Sequence, residues 1–244
     1  MPEYYSLPAY GAMLQALQRE GWTHRSLADL ADSGGRDLYL RHDIDAELYL
    51  LEPFLDAERA SGATATYFLM LESPFYNLAS PEGRRIVERI GDEGHSFGLH
   101  FFGEIHADLT PDQLADEIHG QADHLGRAVG ADVGVFSFHQ PTQPMLDLQL
   151  AIPGLVNTYH AETMRDLTYV SDTNMDWRPA PPHELLVGDV RRAQMLVHPL
   201  WWLMDAPTPS GRWRQVLDGL SVAHARHLLA RERTLAGLDV VDLT

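Results

Sequence analysis

The stretch Leu38-Tyr-Leu-Arg-His-Asp-Ile-Asp45 guides the interpretation of the whole chain. Apolar and polar residues alternate from Leu38 and lead to a polar tip, which predicts a short strand followed by a turn. Side chains two positions apart in a strand point the same way, so Asp43 and Asp45 should share one face. Neighbouring carboxylates repel each other unless a cation, a shared proton or a substrate amine uses them. The alternative is structural, with one carboxylate capping the next helix and the other solvated.

Composition excludes several classes of protein. The 244 residues fit one large domain or two small ones, and 45% of them are hydrophobic, which is enough for a sizeable core. The chain has no cysteine, so disulfides and thiolate metal sites are excluded. A formal net charge of -17 disfavours nucleic acids and anionic membranes as partners, because both need a basic surface.

The first residues carry no sign of a targeting segment. Met1-Pro-Glu-Tyr-Tyr-Ser6 lacks both a basic region and an apolar region, so we expect no signal peptide. No apolar run approaches the length that spans a membrane. We therefore expect a cytoplasmic protein, and the sequence leaves its oligomeric state open.

The rest of the chain alternates between strand-like and helix-like segments joined by short connections. Such alternation is typical of parallel strands covered by helices. We expect one α/β domain over 1–244, with a helical extension at 1–35, a barrel-like or doubly wound core at 36–205 and a C-terminal helix at 206–244. The expected strands cover 38–45, 63–70, 94–103, 133–139, 155–159, 168–171 and 195–202. The expected helices cover 6–21, 26–31, 47–60, 81–93, 110–129 and 211–236.

One of these helices contains an awkward residue. Pro53 lies inside the segment 47–60, and it either kinks that helix or lies in its true first turn.

Acid–base and metal-binding side chains recur where the expected strands end. In both barrel-like and doubly wound folds the carboxyl ends of parallel strands form the functional edge. A single strand histidine is more often a core residue, so the recurrence is the stronger signal. Carboxylate and imidazole ligands together suit a divalent first-row metal such as zinc. The residues at these strand ends are Asp43, Asp45, His100, His139, Asp172 and His198.

The order of motifs resembles that of the NodB-type polysaccharide deacetylases, also grouped as carbohydrate esterase family 4. The likeness runs from about residue 36 to 205 and is greatest to a branch whose first motif is His-Asp-x-Asp. It implies a distorted (β/α) barrel of about seven parallel strands, fewer than the usual eight. It also implies metal-dependent removal of an N-acetyl group from a sugar. The motifs are Arg-His-Asp-Ile-Asp, Thr-Tyr-Phe-Leu, Gly-His-Ser-Phe-Gly-Leu-His, Ser-Phe-His-Gln-Pro, Tyr-Val-Ser-Asp and Val-His-Pro-Leu-Trp-Trp.

The resemblance implies a role for four of these residues. Asp43 matches the catalytic base, Asp45 a metal ligand, and His100 the first histidine ligand. His198 matches the general acid of the last motif. The implied division of labour is chemically consistent, because a metal acidifies its bound water, a carboxylate takes the proton, and an imidazolium protonates the departing amine.

The third metal ligand is where the chain departs from the family pattern. The family places a second histidine four residues after the first, and this chain has Glu104 there. His139 or His106 could replace that ligand, and we favour either of them over Glu104.

The residues around the base and the substrate also differ from the pattern. The family's arginine that orients the base is missing from 137–141, so Arg41 or Arg178 could serve instead. Asp172 could orient one of the site residues or only cap a turn. Trp201 and Trp202 could offer a flat apolar wall to a sugar ring or belong to the core.

Three functions compete at this point. The first is a metal-dependent deacetylase acting on a small N-acetylated sugar or glycan precursor, or a hydrolase of another linear amide. The second is a non-catalytic metal-binding or carbohydrate-binding protein on a degenerate deacetylase scaffold. The third is a metal phosphohydrolase built on the pair His42-Asp43, which we disfavour because such pairs lie on helices whereas this pair lies in a strand pattern.

Overall fold

A single sheet of parallel strands organises the computed structural model, which describes residues 5–244. The strands are β1 (Trp22–His24), β2 (Arg36–Asp43), β3 (Thr66–Leu69), β4 (Ser96–Phe101), β5 (Val135–Phe138), β6 (Val156–Asn157), β7 (Thr168–Ser171) and β8 (Arg192–Val197). Seven of them follow one another in the order β6-β5-β4-β3-β2-β8-β7, forming a half-barrel with helices around it. The distorted barrel of about seven parallel strands predicted from the sequence is thus confirmed.

The helices connect these strands and cover the sheet. Most follow an N-cap residue such as Ser80 or Thr110, whose hydroxyl accepts a hydrogen bond from a backbone N–H of the first helical turn. No helix of residues 5–244 combines the length and apolar character needed to cross a lipid bilayer. The helices are α1 (Leu7–Arg19), α2 (Glu52–Ser61), α3 (Pro81–Asp92), α4 (Pro111–Val129), α5 (Gln143–Asp147), α6 (Ala161–Met164), α7 (Pro182–Leu185), α8 (Pro199–Leu203) and α9 (Pro209–Arg231).

Within the described part of the segment predicted as a helical extension, residues 5–35, α1 is the one helix. Strand β1 pairs in parallel with the first residues of β2, so it joins the sheet. The helix expected at 26–31 is absent, because tertiary hydrogen bonds hold this segment in turns. The Leu27 backbone N–H donates to Thr66 Oγ1 over 3.1 Å, and Ser26 Oγ donates to Ser96 Oγ over 3.0 Å. The first four residues, on which part of the targeting prediction rests, lie outside the described residues.

Pro53 lies in the first turn of α2 and kinks no helix. The segment predicted as one helix over 47–60 begins with a short 3-10 turn, Leu48–Leu50, and α2 starts only at Glu52. A proline in the first turn of a helix removes no helical hydrogen bond, since the first N–H groups have no partner within the helix.

Strand β2 is buried on both faces and separates two environments. Leu38 and Leu40 belong to the main core beneath the helices, whereas Tyr39 packs with Phe68 on the opposite, interior face. By the two-residue period of a strand, Asp43 lies on the same interior face as Tyr39. The β2 neighbours on the two sides are β8 and β3, so the carboxyl end of β2 is central to the sheet.

Candidate active site

Three potential metal ligands meet at the carboxyl ends of β2, β4 and β5. Asp45 Oδ1 lies 3.3 Å from His100 Nε2 and 3.0 Å from His139 Nδ1, and the two ring nitrogens are 3.2 Å apart. Ligand atoms bound to one ion at about 2.1 Å with tetrahedral or octahedral angles lie roughly 3.0–3.4 Å from one another. One carboxylate and two imidazoles are also a donor set typical of divalent first-row metals. The distances within the triangle therefore fit a divalent cation.

A hydroxyl group fixes the orientation of one of these ligands. His100 Nδ1 lies 2.8 Å from Ser137 Oγ, so Nε2 is directed toward Asp45. Hydrogen bonds of this kind select the tautomer of a ligating histidine and hold its ring. Ser137 was not predicted, although it stands two residues before His139 in β5 and therefore on the same face.

The charges within the triad stabilise one another. Burial alone would raise the pKa of Asp45, but hydrogen bonds from His100 and His139 outweigh burial and hold this pKa well below its usual range. Burial alone would lower the pKa of His139, yet the contact with Asp45 raises it. Asp45 is thus ionised at neutral pH and is available as a ligand.

Asp43 lies beside the triad and accepts two hydrogen bonds from Arg41. Arg41 Nε and Nη2 donate to the two oxygens of Asp43, each over 2.7 Å, and both side chains are buried. Asp43 Oδ2 is 3.9 Å from His100 Nε2, so this carboxylate borders the triad without being part of it. Burial would raise the pKa of Asp43, but the charge of Arg41 outweighs burial and lowers it. Arg41 occupies the position that orients the expected base.

His198, at the end of β8, forms a second pair with Asp172. His198 Nδ1 lies 2.7 Å from Asp172 Oδ1, and the His198 backbone N–H donates to both oxygens over 3.1 and 3.2 Å. Burial would lower the pKa of His198, but the hydrogen bond and charge of Asp172 outweigh burial and raise it to about 9. The register of β2 and β8 pairs His42 with Val197, so Asp43 and His198 follow at neighbouring strand ends. The charge of His198 also contributes to lowering the pKa values of Asp43 and Asp45.

A further carboxyl group next to the triad was not predicted. Glu47 is fully buried, and its Oε2 accepts a hydrogen bond from the Ala46 backbone N–H over 3.0 Å. Within the described residues its Oε1 has no hydrogen-bond partner. Burial and the nearby charge of Asp45 raise the pKa of Glu47 to about 7. Glu47 lies two residues after Asp45, at the start of the segment predicted as a helix, and a helix prediction does not indicate that this side chain is buried.

The two tryptophans considered for a sugar-binding wall lie in the core. Trp201 and Trp202 retain only 4% and 3% of their exposed surface, so they form part of the core and present no wall to solvent. They are buried because His198 is the residue before α8, whose first turn directs both rings inward. Trp202 Nε1 donates to Asp172 Oδ2 over 2.8 Å, which adds to the support of the His198 pair.

Arg178 does not reach Asp43. Its side chain is 60% exposed and pairs with Asp176 over 3.2 Å.

Of the alternatives for the third ligand, Glu104 is exposed on the 3-10 turn Gly103–His106. His106 lies 2.9 Å from Glu72 and stacks on Phe101, so it is engaged elsewhere. Among the residues weighed for the third position, the structure places His139 beside Asp45 and His100.

A cavity of about 350 Å3 opens beside the triad. Asp45 and His139 line one part of it, and the aromatic rings of Phe75, Phe102 and Trp213 line another. These aromatic residues lie in connecting segments and in α9, for which the sequence predicted no functional role.

No protein-family model matches the chain, and no curated protein matches it. Solved structures do. The deacetylase PplD of Streptococcus pyogenes in complex with acetate is 14% identical, with 86% of each chain covered and a TM-score of 0.46. A family 4 carbohydrate esterase of Streptomyces lividans in complex with acetate is 18% identical over 78% of this chain and 90% of its own, with a TM-score of 0.43.

A CE4 family pseudoenzyme of Bacillus anthracis is 14% identical over 76% of this chain and 63% of its own, with a TM-score of 0.40. All three are described either as members of carbohydrate esterase family 4 or as a deacetylase, in line with the family whose motifs this sequence resembles. At these identities and TM-scores the likeness concerns the fold alone and does not bear on the reaction.

Proposed function

We propose that this protein is a metal-dependent hydrolase that cleaves the amide bond of an N-acylated sugar, such as an N-acetylated glycan precursor. The observation that carries the proposal is the meeting of Asp45, His100 and His139 at ligand distances beside two oriented pairs, Arg41–Asp43 and Asp172–His198. A metal site, a proton acceptor and a proton donor are the parts that amide hydrolysis needs.

Asp45, His100 and His139 would hold the cation, and zinc is the ion we propose for them. A divalent cation at such a site polarises the amide carbonyl and acidifies a water molecule. Ser137 keeps the His100 ring turned toward the site through its 2.8 Å hydrogen bond.

Asp43 is placed to accept the proton of the attacking water. Its lowered pKa keeps it ionised at neutral pH, and the two hydrogen bonds from Arg41 fix the plane of the carboxylate. Arg41 is itself fully buried, so this geometry is rigid. A base held in one orientation contributes to the rate because less freedom is lost on reaching the transition state.

His198 is placed to give a proton to the departing amine, which leaves poorly as an anion. Its pKa of about 9 keeps the ring protonated at neutral pH. Asp172 occupies Nδ1, so the proton on Nε2 is the one available to the substrate.

The test combines metal analysis with acetate release from a panel of N-acetyl sugars. We expect wild-type protein incubated with zinc to retain the ion and release acetate. Asp43→Asn should retain zinc but release no acetate, whereas Asp45→Ala and His100→Ala should lose zinc. His106→Ala, outside the triad, is the matched control and should retain zinc. Retention of zinc by all variants would refute the ligand assignment, and zinc binding without hydrolysis of any amide would favour the non-catalytic alternative.

A further inference from the structure

The cavity beside the triad is lined by two of the metal ligands and by apolar walls. The two ligands are Asp45 and His139. The walls come from segments far apart in sequence: Met70 after β3, Phe75 in the following loop, and Trp213 in α9. The Phe75 and Trp213 rings are 6.3 Å apart between centroids, and the Phe102 ring meets the His139 ring edge-on at 5.2 Å.

The lining offers little to a group that carries hydroxyls. Apart from the two metal ligands, the polar groups of the lining residues are the Gln140 amide and the single indole N–H of Trp213, and Pro74 completes the set. A hydroxyl group that leaves water without finding a partner costs free energy, whereas an apolar group gains free energy on entering such a cavity. Cavities lined mainly by apolar and aromatic side chains are typical of sites for apolar ligand groups.

The position of the cavity indicates which side of the amide enters it. The departing nitrogen must lie within reach of His198, which protonates it, and near Asp43, which activates the water. Neither His198 nor Asp43 lines the cavity, although Asp45 and His139 do. The acyl group is attached to the other side of the carbonyl carbon, so the cavity is placed to receive the acyl group.

We propose that the cavity binds an apolar acyl group larger than acetyl, such as a medium-length alkyl chain or an aryl ring. A methyl group fills only a small part of 350 Å3. The inference rests on the proposed function in one respect, namely that the scissile amide lies at the triad. It makes Phe75, Phe102 and Trp213 residues that determine specificity.

A binding experiment tests the proposal independently of turnover. Ligand-observed NMR would compare N-methylhexanamide with N-methylacetamide on the zinc-treated protein. We expect the longer amide to bind about tenfold or more tightly, since each buried methylene adds to affinity. Trp213→Ala should remove most of this difference, and Trp213→Phe should restore part of it. Leu217→Ala, at an exposed position of the same helix, should leave the difference unchanged.

Two results would overturn the proposal. One is equal binding of the two amides. The other is that N-acetylglucosamine binds more tightly than N-methylhexanamide and that Trp213→Ala weakens the binding of this sugar. That result would show that the aromatic wall stacks against a sugar ring. Hydrolysis of N-hexanoyl and N-acetyl glucosamine reports separately on the proposed function. If neither sugar is hydrolysed but the longer amide still binds more tightly, the proposed reaction is refuted, whereas the assignment of the cavity as an apolar acyl-binding pocket is supported.

Discussion

His42 Nδ1 lies 3.1 Å from the carbonyl oxygen of Val197, so a β2 side chain is joined to the residue that precedes His198. Because a carbonyl oxygen can only accept, Nδ1 carries a proton. The other ring nitrogen is 2.7 Å from Glu58 Oε1, which also accepts from the Tyr10 hydroxyl. This buried cluster lies on the face of β2 opposite Asp43 and ties together the strand ends that carry the expected base and acid.

We expect Glu58→Gln to lower the free energy of unfolding by about 3 kcal/mol, because the amide lacks the charge of a buried carboxylate that lies against His42 and accepts hydrogen bonds from Tyr10 and Tyr67. Burial would raise the pKa of Glu58, but His42 outweighs burial and lowers it. A lowered pKa contributes stability above the unfolded value, about 4.3, that is lost as the pH falls. The wild-type advantage, measured by urea unfolding, should therefore be constant near neutral pH and shrink as the pH falls below about 4.3.

The control for this experiment is Glu88→Gln, an exposed position of α3, which should change stability little. Parallel pH dependences for wild type and Glu58→Gln would contradict the assignment of a stabilising buried charge.

Arg41→Gln should destabilise the protein by about 3–5 kcal/mol, since it leaves the buried Asp43 carboxylate without its partner. The double variant Arg41→Gln/Asp43→Asn should recover a large part of that loss, because it buries no charge. Chemical denaturation of the two single variants and the double variant gives the coupling free energy. Strictly additive effects would show that the pair contributes no coupling.

Asp172→Asn should lower the pKa of His198 from about 9 toward its ordinary value, because the hydrogen bond and charge of Asp172 raise it. A raised histidine pKa contributes stability that is fully present below the unfolded value of about 6.5 and lost as the pH rises through about 9. Metal-free wild type should therefore lose stability over that interval, and Asp172→Asn should lose less. NMR titration of the His198 ring measures the pKa directly, and an unchanged midpoint would refute the role of Asp172.

Ser137→Ala should weaken zinc binding about 10- to 100-fold while leaving the fold intact, because the hydroxyl holds the His100 ring in place. Competition with a chromophoric chelator gives the dissociation constant. Ser171→Ala, another buried serine at a strand end, is the matched control and should bind zinc as wild type does. Equal affinities in both variants would show that Ser137 does not support the site.

The sequence predicted the fold and the centre of the site for the same reason. The strand carrying Asp43 and Asp45 has a clear two-residue period, and parallel strands bring their carboxyl ends to one edge. His100, His139 and His198 could therefore be placed near that edge without coordinates. Arg41 could be named as a candidate to orient Asp43 because it lies two residues earlier, on the same face.

The remaining features depend on information that a local pattern does not contain. Strand β1 has three residues, too few to show a period. Trp201 and Trp202 follow a strand end as functional residues do, but the turn into α8 buries them. The wall that contains Phe75 and Trp213 joins a loop to a helix that lies far along the chain, and only tertiary packing brings the two together.

Strand β2 pairs with β8 through residues that lie as much as 155 positions apart, as in His42 and Val197. During synthesis the segment that carries Asp43 therefore emerges long before its β8 neighbour exists. An unpaired strand of this kind is a template for aggregation, and such distant pairing slows folding. A nascent chain that stops before Arg192 would expose the backbone edge of β2, a strand with seven of its eight residues buried, until β8 leaves the ribosome.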